Sequence, residues 1–110
     1  MEVTLNEKSF DDFQSQMLTE IIFDVRTALE EADIPREKIR DLTHEIAFSV
    51  ATIIDGSRDM YVGNKLVLPY LTFAKDRSCE HLIATEGGSW MHEYTPELIE
   101  DSFEHPATLI

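Results

Sequence analysis

The sequence predicts a two-layer α+β domain in which a helical hairpin packs on an antiparallel β-meander of three to four strands. Three observations support this fold class: two long stretches with apolar residues at helical spacing, several short strand-like runs separated by turn residues, and a Thr-Pro-Glu helix start near the C-terminus. The predicted element order is ααββββα. The 110 residues suit a single domain spanning 1–110.

The first helix is predicted from Ser9 to about Ala32. Ser9 suits the N-cap, and Asp11 and Asp12 suit the positive end of the helix dipole. Its apolar face repeats at spacings of three and four through Phe10, Phe13, Met17, Ile21, Val25, Ala28 and Ala32. The stretch Asp33–Pro35 ends the helix, because the residue before a proline avoids the helical conformation.

The second helix is predicted from about Pro35 to Ile54. Asp55 and Gly56 end it, since glycine readily adopts the left-handed conformation of a helix C-terminus. The predicted core stripe consists of Ile39, Leu42, Ile46, Val50, Ile53 and Ile54. The last two turns, Ile46–Ile54, are apolar on nearly every side, which predicts that this end of the helix is buried.

Four strands are predicted after the second helix, with turns at Gly63-Asn64 and at Gly87-Gly88. The strands lie within Arg58–Val62, Lys65–Ala74, Cys79–Thr85 and Ser89–Tyr94. Because Pro69 has no backbone N–H, we expect a bulge or an unpaired segment around it. In the fourth strand, alternation places Trp90, His92 and Tyr94 on one face, and leaves open whether that face is buried or exposed.

A short third helix is predicted from Thr95, with Thr95 as N-cap and Pro96 in the first helical position. Leu98, Ile99 and Phe103 form its apolar side. The sequence His105-Pro106 is predicted to end it.

The formal charge of −13 is unevenly distributed. Residues 1–33 hold nine acids and two bases (−7), residues 34–74 five of each (zero), and residues 75–110 eight acids and two bases (−6). Such a field attracts basic proteins and repels nucleic acid and anionic membranes. We therefore expect a basic protein partner, no direct nucleic-acid binding and no membrane association. Simple solubility is the alternative explanation of the charge.

The sequence favours a cytoplasmic protein. Its N-terminus lacks the basic and apolar regions of a secretory signal, and the single Cys79 cannot form an internal disulfide. The longest stretches without charge are nine residues, far below the ~20 residues needed to cross a bilayer.

Known catalytic and metal-binding motifs are not matched. His44-Glu45 lies on a helix, but Phe48 occupies the position where a zinc protease needs its second His. His81 and His92 are predicted neighbours across the Gly-Gly turn, yet their spacing is no known ligand signature. We therefore predict no catalytic residue, no metal and no cofactor.

Three functions remain open. The first is a non-enzymatic interaction module, such as an inhibitor, an immunity-like protein or an accessory protein, that binds a basic partner. Its candidate contacts are Trp90, His92, Tyr94, Glu97, Glu100, Asp101 and Glu104. The second is a small-ligand- or metal-binding enzyme domain that uses His44, Asp55, His92 and Glu93. The third is a self-associating structural subunit, a homodimer, that covers the apolar stretches Leu66–Phe73 and Ile46–Ile54.

Overall fold

A computed structural model describes residues 1–104 of the chain. Its elements, in chain order, are β1 (Glu2–Leu5), α1 (Glu7–Glu31), α2 (Arg36–Ile54), β2 (Tyr61–Val62), β3 (Lys65–Leu66), β4 (Phe73–Ala74), β5 (His81–Ala84), a 3₁₀ helix (Met91–Tyr94) and α3 (Thr95–Glu104). The α+β class, with two long helices, antiparallel strands and a short C-terminal helix, is confirmed. The predicted helix end at His105-Pro106 lies outside the described residues.

Helix α1 begins three residues earlier than the sequence predicts. Its N-cap is Asn6, whose side-chain oxygen accepts a hydrogen bond from the Ser9 N–H at 3.1 Å. Asn is as good an N-cap as Ser, so Asn6 caps the helix and Ser9 lies in its first turn. The buried line of this helix is shifted from the predicted stripe and consists of Phe10, Gln14, Leu18 and Ile22. Of the predicted stripe only Phe10 is buried; its middle is half-buried, and Ala28 and Ala32 at its end are exposed.

Helix α2 ends as predicted, and Gly56 takes a left-handed φ of +76°. The predicted burial of its last two turns is correct on one side only: Ala47 and Ala51 are completely buried, but Ile46 and Ile53 of the predicted core stripe are exposed. The buried line consists of Ile39, Thr43, Ala47 and Ala51, one residue every four. Small side chains on this line let α1 and α3 approach α2 closely, which leaves the larger isoleucines to face outward.

The strands form two separate sheets. One has the order β1-β5-β4, with β1 parallel to β5 and β4 antiparallel to it; the other is the hairpin β2–β3. The sheet β1-β5-β4 packs on α1, where the Phe73 ring lies 5.3 Å from the Phe10 ring and 5.6 Å from the Phe13 ring. The predicted strand Lys65–Ala74 is divided, and its unpaired middle contains Pro69, as its missing N–H predicts.

The fourth predicted strand, Ser89–Tyr94, is not a strand. Residues Met91–Tyr94 form the 3₁₀ helix instead, and this helix continues directly into α3. Thr95 is therefore not an N-cap: its backbone is already helical (φ −58°, ψ −48°) and its side chain is buried. The main core lies between the three helices and the 3₁₀ helix, and consists of Leu18, Ile22, Ala47, Ala51, Met91 and Ile99. Within residues 1–104, no helix is long and apolar enough to cross a bilayer.

Candidate functional site

A groove of about 510 Å³ opens where the C-terminal end of α2 meets the loop that precedes the 3₁₀ helix. Asp55 and Ser57 line one side, and Trp90 and His92 line the other. The segment Leu68–Tyr70 and the Gly87-Gly88 turn complete the walls. The groove thus joins three parts of the chain that are far apart in sequence.

The side chain of Asp55 has no exposed surface, and its carboxylate accepts hydrogen bonds at both oxygens. Oδ1 accepts from the Ser57 N–H at 2.9 Å and from the Ser57 hydroxyl at 2.6 Å. Oδ2 accepts from the His92 N–H at 3.0 Å and lies 2.5 Å from His92 Nδ1. One buried carboxylate therefore ties the end of α2 to the 3₁₀ helix.

These contacts set the ionisation of Asp55. Burial raises its pKa, but the hydrogen bonds from the Ser57 hydroxyl, the His92 N–H, the His92 ring and the Ser57 N–H lower it by more. The net pKa of Asp55 therefore lies below its ordinary value. Because the carboxylate is ionised at neutral pH, His92 Nδ1 carries a proton and donates it to Oδ2.

A buried carboxylate at this place goes against the usual electrostatics of helices. Asp55 directly follows the last residue of α2, where the partial negative charge of the helix dipole disfavours an anion. The four hydrogen bonds from Ser57 and His92 offset this cost. Positions that violate a local rule and are compensated by dedicated contacts are where functional sites are commonly found.

Asp55, Ser57 and His92 do not form a hydrolytic triad. In a triad the imidazole takes the serine proton at one nitrogen while its other N–H binds the carboxylate. Here the Ser57 oxygen (2.9 Å) and Asp55 Oδ2 (2.5 Å) both lie next to the same nitrogen, Nδ1. The Ser57 hydroxyl donates its proton to Asp55 Oδ1, so no base is placed to activate Ser57 as a nucleophile.

A second set of buried contacts fixes the loop before the 3₁₀ helix. The Ser89 hydroxyl donates to Gln14 Oε1 at 2.8 Å and accepts from the Met91 N–H at 3.1 Å. Gly88 has a φ of +77° and lies against the Tyr70 ring, and the Tyr70 hydroxyl donates to the Thr85 carbonyl at 2.8 Å. The loop is thereby held to α1 and to the groove wall, so the site is preformed.

Two aromatic rings give the groove its exposed surface. Trp90 is 55% exposed and Tyr70 is 60% exposed. The Trp90 ring centre lies 6.1 Å from that of His92, which in turn meets the Phe48 ring edge-on at 5.7 Å. The rim therefore presents two exposed aromatic rings beside the polar side chains of Ser57 and His92.

The predicted common face of Trp90, His92 and Tyr94 does not exist, because the helical turn separates residues that a strand would align. Trp90 and His92 stay together at the groove, whereas Tyr94 packs against the main core. Its hydroxyl lies 3.5 Å from Asp11 Oδ1, at the limit of a hydrogen bond. Burial and then the charge of Asp11 raise the pKa of Tyr94.

The acidic residues that are predicted to contact a partner, Glu97, Glu100, Asp101 and Glu104, lie on α3, which follows the groove in the chain. Glu93, Glu97, Glu100 and Glu104 are exposed and recur at spacings of four, three and four, so they share one face of the continuous helical segment. We call these four residues the acidic stripe. Arg40 pairs with Glu104 at 2.8 Å and reduces the charge at the far end, while Asp101 is half-buried beside the stripe.

The four residues of the alternative ligand site are only partly brought together. Asp55 and His92 are in direct contact, but the His44 ring stacks on Phe48 at 6.1 Å, so that Phe48 lies between the two histidines. Glu93 is exposed and is part of the acidic stripe. His81 is not a neighbour of His92; it lies 3.2 Å from Glu2 across the β1–β5 pair. Within residues 1–104, no three His, Cys, Asp or Glu side chains are grouped as metal ligands would be.

Sequence reasoning missed Ser57, Tyr70, Ser89 and Gln14. For Ser57 a signal was present: Asp-Gly-Ser after a helix is typical of a turn in which the aspartate caps the N–H two residues on. Tyr70, Ser89 and Gln14 act through contacts over long sequence separations, which a local pattern does not show.

Comparison of the chain with family models, with curated proteins and with solved structures finds no match. The function therefore has to be argued from the groove and its surroundings.

Proposed function

We propose that this domain is a non-enzymatic, cytoplasmic binding module that recognises a basic protein partner at the Trp90 groove and the acidic stripe. The observation that supports it best is the exposed Trp90, which lines a preformed groove together with Tyr70. Tryptophan and tyrosine are enriched among the residues that dominate binding energies at protein interfaces. An exposed aromatic ring at the rim of a groove can bind an arginine or lysine side chain through a cation–π interaction.

The acidic stripe gives this groove a matching electrostatic field. It begins at Glu93, three residues after Trp90, and extends along the outer face of α3. Within the described residues only Arg40 pairs with it. The charge of −13 on the whole chain adds a long-range attraction for a basic surface. An inhibitor or immunity-like protein that covers a basic active surface would gain its fast association from such a field.

The charge part of the proposal is tested with an octa-arginine peptide and isothermal titration calorimetry. The variant Glu97→Gln/Glu100→Gln removes two charges from the acidic stripe. The matched control Glu20→Gln/Glu31→Gln removes two exposed charges from α1 and leaves the same net charge. We expect the stripe variant to bind at least several-fold more weakly than the control. Equal affinities would mean that the peptide responds to net charge alone, and would contradict a defined acidic contact surface.

A second candidate function, a small-ligand-binding or enzyme domain, is favoured by the Asp55–His92 pair. Because Asp55 holds Nδ1, His92 presents Nε2 as its free ring nitrogen, and the hydrogen bonds within residues 1–104 leave Nε2 unused. A carboxylate-oriented imidazole of this kind can serve as a general base. A screen of small aromatic acids and esters that reads Trp90 fluorescence tests it. Hits that bind wild type but not His92→Gln support this function; an absence of hits removes it.

A further inference from the structure

A second surface, away from the acidic stripe, is formed by an apolar hairpin. Residues 60–68, which we call the arm, contain β2, β3 and the turn between them. Six large apolar side chains of the arm are between 41% and 67% exposed: Met60, Tyr61, Val62, Leu66, Val67 and Leu68. Single exposed apolar residues are ordinary, but six within nine residues make both faces of this hairpin apolar, because successive strand residues point to opposite faces.

The arm lacks the support that two-stranded structures need. Its two strands pair through Tyr61–Leu66 and Val62–Lys65, with one further hydrogen bond from the Val67 N–H to the Met60 carbonyl at 2.8 Å, and they are not joined to the three-stranded sheet. An isolated two-stranded hairpin is at best marginally stable in water, and it needs a further strand or a packing surface. The described chain is also extended, with a radius of gyration of 15.6 Å where a compact chain of this size has about 13 Å.

The charge distribution indicates what covers the arm. Lys65 is the only charged residue in the arm, and the larger segment 34–74 has a net charge of zero. Residues 1–33 carry −7 and residues 75–110 carry −6. Two copies of this chain repel each other on almost every other surface, whereas contact through the neutral segment avoids that repulsion.

The same neutral segment contains a second apolar patch that the arm can contact. Ile46 and Ile53 are exposed on α2 and, at a spacing of seven residues, lie on one face of it. Taking roughly 150–200 Å² for a fully exposed large side chain, the arm and these two isoleucines expose on the order of 700 Å² per copy. That area counts both faces of the hairpin, and it approaches the ~800 Å² per partner of a standard stable interface only where both faces are covered.

We propose that two copies of this chain form a symmetric dimer in which the arm of each copy packs against the Ile46/Ile53 face of helix α2 in the other. A twofold axis lets one arm–helix contact occur twice, so that both apolar patches are buried in both copies. The acidic stripe lies outside this interface, whereas Leu68 belongs both to the arm and to the wall of the Trp90 groove.

The mass in solution, measured by sedimentation equilibrium across the micromolar range, tests the dimer. Val62→Asp places a charge in the arm, and Val3→Asp is the matched control. Both valines lie in strands and are similarly exposed, at 67% and 58%. We expect wild type and Val3→Asp to be dimers, and the dissociation constant of Val62→Asp to rise at least tenfold. A wild type that remains monomeric at all concentrations overturns the proposal, and so does a Val62→Asp dimer of unchanged affinity.

Hydrogen exchange of the wild-type protein provides a measurement that does not depend on a variant folding correctly. Amides of residues 60–68 are expected to exchange more slowly at high protein concentration than at low concentration, because dimer formation covers the arm. Exchange in the arm that is independent of concentration would contradict the dimer even if Val62→Asp proved to be unfolded.

Discussion

Replacing Asp55 by Asn tests whether the buried carboxylate holds the site together. Asn keeps one oxygen, which can accept either the Ser57 pair or the His92 pair of hydrogen bonds, and puts an NH₂ group at the other position. The Ser57 hydroxyl and the His92 ring can change from donor to acceptor, but a backbone N–H cannot. One backbone N–H, that of exposed Ser57 or that of part-buried His92, therefore loses a hydrogen bond to a charged group, and the variant should lose about 1–3 kcal/mol of unfolding free energy.

The pH dependence of this loss has a definite sign. The pKa of Asp55 is lower in the folded than in the unfolded protein, so its carboxylate stabilises the fold fully above the unfolded value of about 4. That contribution is lost as the pH falls through the lower folded pKa. The stability difference between wild type and Asp55→Asn should therefore be constant from neutral pH to about pH 5, and should shrink as the pH falls below about 4.

Urea unfolding followed by Trp90 fluorescence and by circular dichroism measures both effects. Asp59→Asn is the control. Asp59 is exposed and lies four residues from Asp55, and its replacement changes the net charge by the same amount. Its stability should change by no more than about 0.5 kcal/mol. If Asp55→Asn is as stable as Asp59→Asn at neutral pH, or if their difference grows in acid, the account of the Asp55 contacts is wrong.

Two further predictions concern the walls of the site and are checked by the same urea measurement. The Ser89 hydroxyl donates to Gln14 and accepts from the buried Met91 N–H. Ser89→Ala removes this hydroxyl and should lower the free energy of unfolding by about 1–3 kcal/mol, whereas Ser89→Thr, which keeps a hydroxyl, should lower it less. Gly56→Ala should destabilise more than Gly63→Ala. Both residues have a positive φ, but only at Gly56 would the new Cβ lie 3.0 Å from a backbone oxygen, that of Pro69. Equal losses at the two glycines would contradict this close packing.

The helices could be predicted from the sequence because their signals are local. The spacing of apolar residues predicts nearly the full length of α1 and α2, and Asp55-Gly56 predicts where α2 ends. Strand β1 could not be found in this way. It pairs in parallel with β5, so Val3 and its partner Leu82 lie 79 residues apart in the sequence, and no turn signal connects them.

The fourth predicted strand failed for a reason that is visible in its hydrogen bonds. Alternation in Ser89–Tyr94 suits a strand, but side chains take the backbone donors that a sheet would use. The Met91 N–H binds the Ser89 hydroxyl, and the His92 N–H binds the Asp55 carboxylate. Such side-chain contacts compete with the ladder of a sheet and turn the segment into a 3₁₀ helix.

The candidate site could be predicted only in part for the same reason. Asp55 and His92 were both singled out by residue type, and the structure brings them into contact. Their partners were not found, because Ser57 contacts His92 over 35 residues and Ser89 contacts Gln14 over 75 residues. His44 was grouped with them on chemistry alone, and the ring of Phe48 separates it from His92.

The most direct test of the central proposal is to map where a basic ligand binds. Two-dimensional ¹⁵N NMR of the wild-type protein is recorded during titration with octa-arginine, and with octa-glutamate as control. We expect the largest shifts at the Trp90 indole N–H and at the amides of His92, Glu93, Glu97 and Glu100. Trp90→Ala should weaken binding several-fold, while Phe23→Ala, which removes an exposed ring from α1, should not. Shifts spread evenly over all acidic surfaces, or an unchanged affinity of Trp90→Ala, would contradict the proposal.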